Sequence, residues 1–574
     1  MRRWLNTFLA CSLLLAGFAP QAEARARHVA AGHAAAGHST AKGVVSAPSR
    51  LAAEAGAEML RQGGSAVDAA LATAITLTVL EPESTGIGGG GFMVAAAPGR
   101  RLATIDGREA APAAAGSDWF VRDGAPMGFR AAVLGGRSVG IPGFIRLAER
   151  AHRRFGRVPW RSLFQPAIRL ARDGFPISER LFGALTIFHD AAVFDGGKAL
   201  YFDASGAPLP AGTVIRNPEL AKLLQQVADH GPDAFYTGQN AAAIVSAVSG
   251  AKSNQALWTM ADLKTYAVQD RAPVCGHYRR YRLCSMGPPA SGAVTLLQIL
   301  GQLERFDLKA TGPESPVSWH LFAESTRLAF ADRAQYVGDP AFNRVPVAGL
   351  IAPEYISSRS ALIAPDRSMA SASAGHPAGA AITALVAPGV ENGTSHVAAS
   401  DRRGGVASFT STIESGFGSG LVVNGYFLNN ELTDFDLAPP PPGTITVNSV
   451  AAGKRPRSAM TPVIAYGPDG HLAFAIGAGG GATIVVQVAK AIVGVIDWGL
   501  PFDRAISLPL VFAPGDTVQL EQGSAAESLA PTLTALGHRA KAQPMRLKAN
   551  AVYWDGKAWH GAADTRSEGA TVSE

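Results

Sequence analysis

Basic clusters and long apolar runs are both missing from most of this 574-residue chain. The formal net charge is only +6 at pH 7, and without a run of Lys and Arg this weak balance suits small acidic molecules rather than nucleic acid. After the N-terminal segment, no apolar stretch is long enough to form a transmembrane helix. With 47% hydrophobic residues, 64 Gly and 37 Pro, we predict a large globular chain with no nucleic-acid partner and no membrane span.

Cysteine is also scarce, since only Cys275 and Cys284 follow the N-terminal segment that contains Cys11. The Tyr and Arg alternation over residues 276–283 predicts a tight hairpin around Arg279 and Arg280, in which the two cysteines lie opposite each other. An oxidising compartment favours a disulfide between them. The alternative is a pair of free thiols on neighbouring strands.

Residues 1–26 have the pattern of a signal peptide. Arg2 and Arg3 precede an apolar stretch over residues 8–18, and small-x-small cleavage sites follow at residues 22–24 and 24–26. Lipidation at Cys11 would leave too little apolar sequence before the cysteine. We therefore predict a cleaved signal peptide and a periplasmic or secreted protein.

A leader rich in Ala, Gly and His occupies residues 27–42. The spacing of His28, His33 and His38 suggests a metal site, but nothing in the sequence fixes these side chains, so we expect a disordered leader. We predict no metal site elsewhere.

Helices are predicted over residues 51–62 and 66–80, the second with a capping box from Ser65 and Asp68. They lead into the glycine run of residues 86–91, whose spacing matches the dinucleotide-binding fingerprint. That fingerprint requires a strand before it and a helix after it, whereas a helix precedes this run and a hairpin over residues 92–106 follows it. We expect the glycines to allow close backbone packing instead.

Residues 361–393 are rich in Ala, Ser, Pro and Gly and predict a flexible linker that leads to Thr394. The strand patterns of residues 396–399 and 406–413 follow it. If the bond between Gly393 and Thr394 is cut, the hydroxyl of Thr394 gains its own base, because an α-amino group titrates at about 7.7–8.0. The alternative is that Asn392, Gly393 and Thr394 form a glycosylation sequon.

A second glycine run, residues 477–481, precedes a helical pattern over residues 482–494. Backbone N–H groups at such a turn bind anions. The run lacks the Lys-Ser/Thr ending of a phosphate-binding loop. An oxyanion that develops during acyl transfer is the better interpretation.

These motifs together resemble the γ-glutamyltransferase (glutathione hydrolase) proenzyme family. The resemblance runs from about Gly43 to residues 561–566 and includes residues 63–70, 88–93, 165–175, 331–333, 338–340, 394–396, 454–456 and 479–481. It implies an N-terminal-nucleophile hydrolase of the α+β class with a four-layer αββα sandwich. Self-cleavage would give a large subunit, residues 43–393, and a small catalytic subunit, residues 394–574, which remain together as a heterodimer without a cofactor.

The resemblance also implies a role for each matching residue. Thr394 corresponds to the nucleophile, Thr412 to a Thr whose hydroxyl supports it, and Gly480 and Gly481 to the oxyanion donors. Arg108 and Ser458 correspond to the groups that bind the substrate α-carboxylate. Glu431 and Asp434 correspond to the acceptors of the α-ammonium group.

The chain departs from the family pattern at two positions. Glu414 stands where the family usually has Asn, which adds a carboxylate near the ammonium pocket, and Ala459 replaces a second Ser, which removes a donor to the carboxylate. A missing hydrogen bond to a charged group weakens binding by about 1.5–3 kcal/mol. The segment between Asp434 and Lys454 corresponds to the family's lid and is shorter than in lidded members, which would leave the site open to water or bulky acceptors.

Three hypotheses follow. The chain is a γ-glutamyl hydrolase or transferase that acts on glutathione and other γ-glutamyl amides. Alternatively, it is an amidase of the same fold with another acyl preference, such as a glutaryl or cephalosporin acylase, or it is an inactive scaffold. The intact Thr394, Thr412, Gly480 and Gly481 argue against a scaffold.

Overall fold

Two β-sheets form the centre of the structure, a computed structural model that describes residues 42–381, 393–444 and 446–574. The predicted signal peptide and residues 27–41 of the leader lie outside the described residues. Across the seven-stranded sheet the strands are Ala570–Ser573, Val44–Ala47, Ser395–Ser400, Val406–Thr412, Gly90–Ala96, Ala103–Gly107 and Gln269–Arg271. Across the six-stranded sheet they are Trp559–Ala563, Lys548–Trp554, Leu472–Gly479, Val463–Tyr466, Tyr281–Ser285 and Val274–Tyr278.

The two sheets pack face to face through a small apolar cluster. Val94 and Ala398 from the seven-stranded sheet meet Ile464, Ala475 and Val552 from the six-stranded sheet. The other face of each sheet is covered by helices: Ala66–Leu80 packs on the seven-stranded sheet, and Gly292–Leu303 and Ile484–Ile496 pack on the six-stranded sheet. This mixed architecture of helix and sheet confirms the predicted α+β class.

Helices of eight or more residues are Arg50–Arg61, Ala66–Leu80, Phe144–Phe155, Gln165–Asp173, Glu179–Ile187, Pro218–His230, Gly238–Ser249, Gly292–Leu303, Pro316–Tyr336, Pro353–Ser360 and Ile484–Ile496. The predicted capping box is present, because Ser65 Oγ accepts from the Asp68 amide at 3.1 Å and Asp68 Oδ2 accepts from the Ser65 amide at 2.8 Å. Among the described residues, no helix is both long and apolar enough to cross a membrane.

The first glycine run lies between a helix and a strand, as predicted. Gly90 and Gly91 begin the strand Gly90–Ala96, which lies between Val406–Thr412 and Ala103–Gly107. A Cβ atom at Gly90 would overlap the Gly107 carbonyl oxygen, and one at Gly91 would overlap that of Thr410. Close backbone packing therefore explains these glycines, and the context of a dinucleotide site is absent.

The cysteine hairpin forms the edge of the six-stranded sheet. Its strands, Val274–Tyr278 and Tyr281–Ser285, pair in the register that places Cys275 opposite Cys284. A disulfide joins the two residues, whose Cα atoms are 4.1 Å apart.

The segment before Thr394 differs from the flexible linker that composition predicts. The Met369 amide donates to Glu324 Oε2 at 2.7 Å, and the Gly375 amide donates to Asp332 Oδ1 at 2.9 Å. Both carboxylates are buried on the helix Pro316–Tyr336 and need hydrogen-bond donors. Residues 361–381 are thus fastened to the protein, which corrects the prediction for this part of the segment; residues 382–392 lie outside the described residues.

Candidate active site

Thr394 lies buried at the start of the central strand Ser395–Ser400. Its hydroxyl contacts the carbonyl oxygen of Gly393. In the neighbouring strand, Val406–Thr412, Ser411 pairs with Ser395. This register brings Thr412 to the same carbonyl oxygen, and Thr412 Oγ1 donates a hydrogen bond to it at 3.0 Å. Both hydroxyl groups therefore meet at the peptide bond that is predicted to be cut.

Thr412 contacts the carbonyl side of this bond. Its Oγ1 also accepts from the Glu414 amide at 2.8 Å, so the hydroxyl hydrogen is directed at Gly393. The Gly393 amide donates to the Glu414 carbonyl oxygen, which a Cβ atom at position 393 would overlap. In the uncut chain Thr412 thus polarises the Gly393 carbonyl group, and only glycine fits before the nucleophile.

The second glycine run makes a turn beside Thr394. Gly480 and Gly481 have φ values of +125° and +60°, which glycine adopts without a steric penalty. Their N–H groups make no hydrogen bond to another described residue. The helix Ile484–Ile496 begins just after them, and its N-terminal end favours a negative charge at this turn.

Gln487 fixes the glycine turn and is a residue that sequence reasoning missed. Its Nε2 donates to the Gly479 carbonyl oxygen at 2.8 Å and to Thr483 Oγ1 at 3.0 Å, and its Oε1 accepts from the Lys548 amide at 3.0 Å. The available signal was a polar side chain in the helix Ile484–Ile496, whose other residues are apolar except for Lys490.

The predicted substrate-binding residues come together in one cavity, which we call the inner cavity. Its volume is about 10 Å³. Its lining consists of Arg108, Gly393, Thr394, Thr412, Glu414, Glu431, Asp434, Ser458, Ala459, Met460, Gly481 and Ile484. Most of the polar groups in this wall are therefore residues that the motifs predict.

Arg108 is the cationic side chain of the inner cavity. Its guanidinium group contacts the Glu431 carboxylate and lies 2.5 Å from Asp434 Oδ2 and 3.8 Å from Glu109 Oε2. Burial opposes the charged form, but Glu431 and Asp434 outweigh it and raise the pKa of Arg108 above its ordinary value. Arg108 also donates hydrogen bonds to the Pro456 and Arg457 carbonyl oxygens, which fix its side chain.

More than one carboxyl group lies near the Arg108 guanidinium group in the inner cavity. Burial raises the pKa of Glu109 to about 8. Burial also raises the pKa of Glu431, and repulsion from Glu109 and Glu414 adds to the effect. Three carboxyl groups, those of Glu431, Asp434 and Glu109, lie within 3.8 Å of the guanidinium group, and Glu414 lies close enough to Glu431 to repel it. A ligand that brings a positive charge would favour the ionised forms of these carboxyl groups.

Glu414 and Ser458 also line the inner cavity. Glu414 has a φ value of +76°, and its Oε2 accepts from Asn430 Nδ2 at 2.7 Å. Ser458 Oγ accepts from the Met460 amide at 3.2 Å, which leaves the hydroxyl hydrogen for another acceptor. Ala459 is buried next to Ser458 and offers no side-chain donor.

The predicted lid segment folds back on itself. The Asp436 amide donates to the Asn448 carbonyl oxygen at 3.0 Å, and Asn448 Nδ2 donates to the Asp434 carbonyl oxygen at 2.7 Å. These bonds tie the base of the segment to the inner cavity.

The sequence motifs also gave no indication of a buried ion pair beneath Thr394. Lys548 Nζ lies 2.8 Å from Glu81 Oε2 and 3.1 Å from Ser395 Oγ, and Ser395 Oγ donates to the same Glu81 oxygen at 2.5 Å. Burial and the nearby Arg180 lower the pKa of Lys548 to about 8. The pair holds the residue after the nucleophile in place.

His396 is not placed to act as the base. Its Nδ1 is 2.8 Å from Thr410 Oγ1, and burial lowers its pKa to about 3, so the ring is neutral at physiological pH. The α-amine that a cut before Thr394 would release stays the predicted base.

Thr394 also faces a second opening, which we call the outer cleft. Its volume is about 150 Å³, and of its lining residues only Gly393 and Thr394 also line the inner cavity. Thr394 therefore lies between the inner cavity and the outer cleft.

Comparisons with known proteins agree with this geometry. The family model described as gamma-glutamyltranspeptidase matches residues 52–573. The glutathione hydrolase proenzyme of Bacillus subtilis (strain 168) is 34% identical, over 100% of this chain and 99% of the relative. The acylase ACY 1 proenzyme of Pseudomonas sp. (strain V22) is 35% identical over 88% of both chains. The crystal structure of cephalosporin acylase from Bacillus halodurans matches with a TM-score of 0.81 and 25% identity, over 93% of this chain and 96% of that one.

Proposed function

The chain belongs to the gamma-glutamyltranspeptidase family, which confirms the resemblance seen in its motifs, and from this membership we propose its reaction. It is a γ-glutamyltransferase and glutathione hydrolase. The enzyme takes the γ-glutamyl group from glutathione or another γ-glutamyl amide and passes it to water, an amino acid or a peptide. Thr394 carries the group as an ester between the two steps.

The active enzyme arises by self-cleavage. Thr394 Oγ attacks the carbonyl carbon of Gly393, the peptide nitrogen leaves as the α-amine of Thr394, and water hydrolyses the resulting ester. The contacts of both Thr394 and Thr412 with the Gly393 carbonyl oxygen support this step. The products are a large subunit ending at Gly393 and a small subunit beginning at Thr394, which form the heterodimer of an αββα N-terminal-nucleophile hydrolase.

In turnover, the free α-amine takes the proton from Thr394 Oγ as the oxygen attacks the γ-carbonyl carbon of the substrate. The N–H groups of Gly480 and Gly481 stabilise the oxyanion, a contribution worth about 2.7–4 kcal/mol for one donor. The proton then passes to the leaving amine, the amide bond breaks, and the γ-glutamyl ester remains until water or an acceptor amine attacks it.

The excess of carboxyl groups around Arg108 is the observation that carries the γ-glutamyl assignment. A γ-glutamyl head group supplies a carboxylate to Arg108 and Ser458 and an ammonium group to Glu431 and Asp434. Burial favours the protonated forms of Glu109 and Glu431. An ammonium group beside Glu431 and Asp434 would favour their ionised forms and add the cation that Arg108 alone does not supply. Glu414 strengthens this preference because it adds a negative charge on the same side.

An acylase with another acyl preference is the second candidate, and the acylase ACY 1 relative favours it. A glutaryl group lacks the ammonium group but keeps the carboxylate, so the two candidates differ at Glu431 and Asp434. Release of chromophore from γ-glutamyl and glutaryl anilides separates them. We expect preference for the γ-glutamyl anilide, lost in Arg108→Ala; preference for the glutaryl anilide would support the acylase instead.

We also propose that the enzyme is exported with removal of residues 1–26. The disulfide between Cys275 and Cys284 supports an oxidising compartment. N-terminal sequencing of the large subunit tests this proposal, and retention of Met1 in the mature protein would contradict it.

A further inference from the structure

The inner cavity accounts for the acyl group, so the amine side of the scissile bond belongs in the outer cleft. This cleft is lined by Glu83, Ser84, Glu179, Arg180, Gly183, Ala184, Ile187, Gly393, Thr394, Gly416, Gly480 and Arg546. We propose that Arg180 and Arg546 form a carboxylate-binding subsite, which selects leaving groups and acceptors that carry a carboxylate. The inference rests on the proposed function and defines the amine that this enzyme prefers.

Arg546 lies beside the glycine turn, and its nearest counter-charge is Glu83, with which it forms no ion pair. Its carbonyl oxygen lies 2.5 Å from the position that a Cβ atom at Gly480 would take, so the residue adjoins the oxyanion donors. Its guanidinium carbon lies 4.3 Å from the centre of the Phe188 ring, which orients the group. Among the described residues, no carboxylate or hydrogen-bond acceptor contacts this guanidinium group.

Arg180 supplies the second guanidinium group, from the helix Glu179–Ile187. Its Nε has no hydrogen bond in the described part of the chain, and the nearest carboxylate oxygens, of Glu83 and Glu81, are 3.5 Å and 4.0 Å away. Glu81 already pairs with Lys548. Arg180 therefore retains donors that can point into the cleft.

The local charges favour an added anion. Burial and repulsion from Arg180 lower the pKa of Arg546, so the two arginines repel each other across the cleft. Burial and the neighbouring Glu81 raise the pKa of Glu83, which weakens the nearest counter-charge. Glu179, a lining residue, and Glu568, which accepts from the Arg180 amide at 3.0 Å, are both exposed to water, which screens their charges. A carboxylate between the arginines would relieve the repulsion.

The ligand class follows from the position of this pair. An α-amino acid or short peptide has an amine, which reacts at Thr394, and a carboxylate a few bonds away. Planar guanidinium groups suit a carboxylate because they donate two parallel hydrogen bonds. Amines without a carboxylate would fit the cleft but leave Arg546 without an ion pair and Arg180 with only its long contacts to Glu83 and Glu81.

Two donors with the same acyl group test the leaving-group side. We compare kcat/KM for γ-glutamyl-4-nitroanilide and γ-glutamyl-3-carboxy-4-nitroanilide, which differ only in the carboxylate. Because a partly exposed ion pair contributes modestly, we expect the carboxylated donor to be preferred about five- to tenfold, and the preference to shrink with added salt. In Arg546→Met and Arg180→Met the ratio should approach one while the plain anilide stays within about threefold of wild type.

Transfer to a dipeptide and to its C-terminal amide tests the acceptor side in the same variants. We expect the wild type to favour the dipeptide, Arg546→Lys to keep part of the preference, and Arg101→Met, an exposed arginine elsewhere, to keep all of it. Wild-type ratios near one for donors and acceptors, or ratios that both Met variants leave unchanged, would overturn the subsite while leaving γ-glutamyl transfer intact. Absence of γ-glutamyl activity in the wild type would instead overturn the proposed function and the subsite together.

Discussion

At the scale of single residues, the inner cavity contains carboxyl groups that burial keeps partly protonated. Glu109 is the clearest case, because burial raises its pKa from the ordinary 4.5 to about 8. In the unfolded chain this group loses its proton near pH 4.5, whereas the folded protein keeps the proton until about pH 8. The folded state therefore binds the extra proton between these values, and raising the pH through this window removes stability.

We predict that Glu109→Gln flattens this dependence. Glutamine imitates the protonated carboxyl group, so the melting temperature of the variant should fall less than that of the wild type between pH 5 and pH 8.5. Thermal unfolding at several pH values measures the difference, with Glu219→Gln, on an exposed helix face, as the control. Parallel curves for wild type and Glu109→Gln would show that Glu109 ionises normally in the folded protein.

Site residues in short motifs can be predicted from the sequence, whereas residues that only the fold brings together cannot. Thr394 and Gly481 lie in short motifs whose chemistry can be argued from neighbouring letters. Lys548 and Glu81 are 467 positions apart, and neither lies in a motif with a chemical signature. Only the fold brings them together beneath the nucleophile, because it pairs the strand Lys548–Trp554 with Leu472–Gly479 near the end of the helix Ala66–Leu80.

At the scale of elements, local patterns predicted regular structure well. The helices expected over residues 51–62 and 66–80 are Arg50–Arg61 and Ala66–Leu80, because periodicity, a capping box and flanking glycines agree. The composition of residues 361–381 predicts a flexible linker, whereas the structure fastens this segment to a helix by hydrogen bonds. Its hydrogen bonds depend on the buried Glu324 and Asp332, which local composition does not reveal.

The cysteine hairpin gives a prediction at this scale. Its disulfide closes a loop of sequence separation 9, so reduction should lower the free energy of unfolding by about 2–3 kcal/mol through loop entropy. Activity should not change, because Tyr281–Ser285 is separated from Leu472–Gly479 by another strand. The denaturant midpoint with and without a reductant measures the loss.

The matched control is the double variant Cys275→Ala with Cys284→Ala. Its midpoint should not respond to the reductant, and it should retain γ-glutamyl transfer. An equal midpoint for the oxidised and reduced wild type would mean that the bridge adds no stability. A loss of activity in the double variant would mean that the sheet edge supports the site.

At the scale of the whole molecule, two facing sheets place the nucleophile, the glycine turn and the inner cavity at one point. The strand Ser395–Ser400 carries Thr394 from one sheet, and Leu472–Gly479 carries Gly480 from the other. Sequence patterns predicted the strands but not their packing, which came from the resemblance to a known family. The division into two subunits and the heterodimer stay predictions that depend on the cut at Thr394.

N-terminal sequencing of the purified protein, separated under denaturing conditions, tests that cut most directly. We predict two polypeptides, the smaller beginning Thr-Ser-His, and a single polypeptide in Thr394→Ala. In Thr412→Ala, which removes the donor to the Gly393 carbonyl group, the precursor should persist longer than in the wild type. A wild-type protein that stays in one piece and still transfers γ-glutamyl groups would contradict the account.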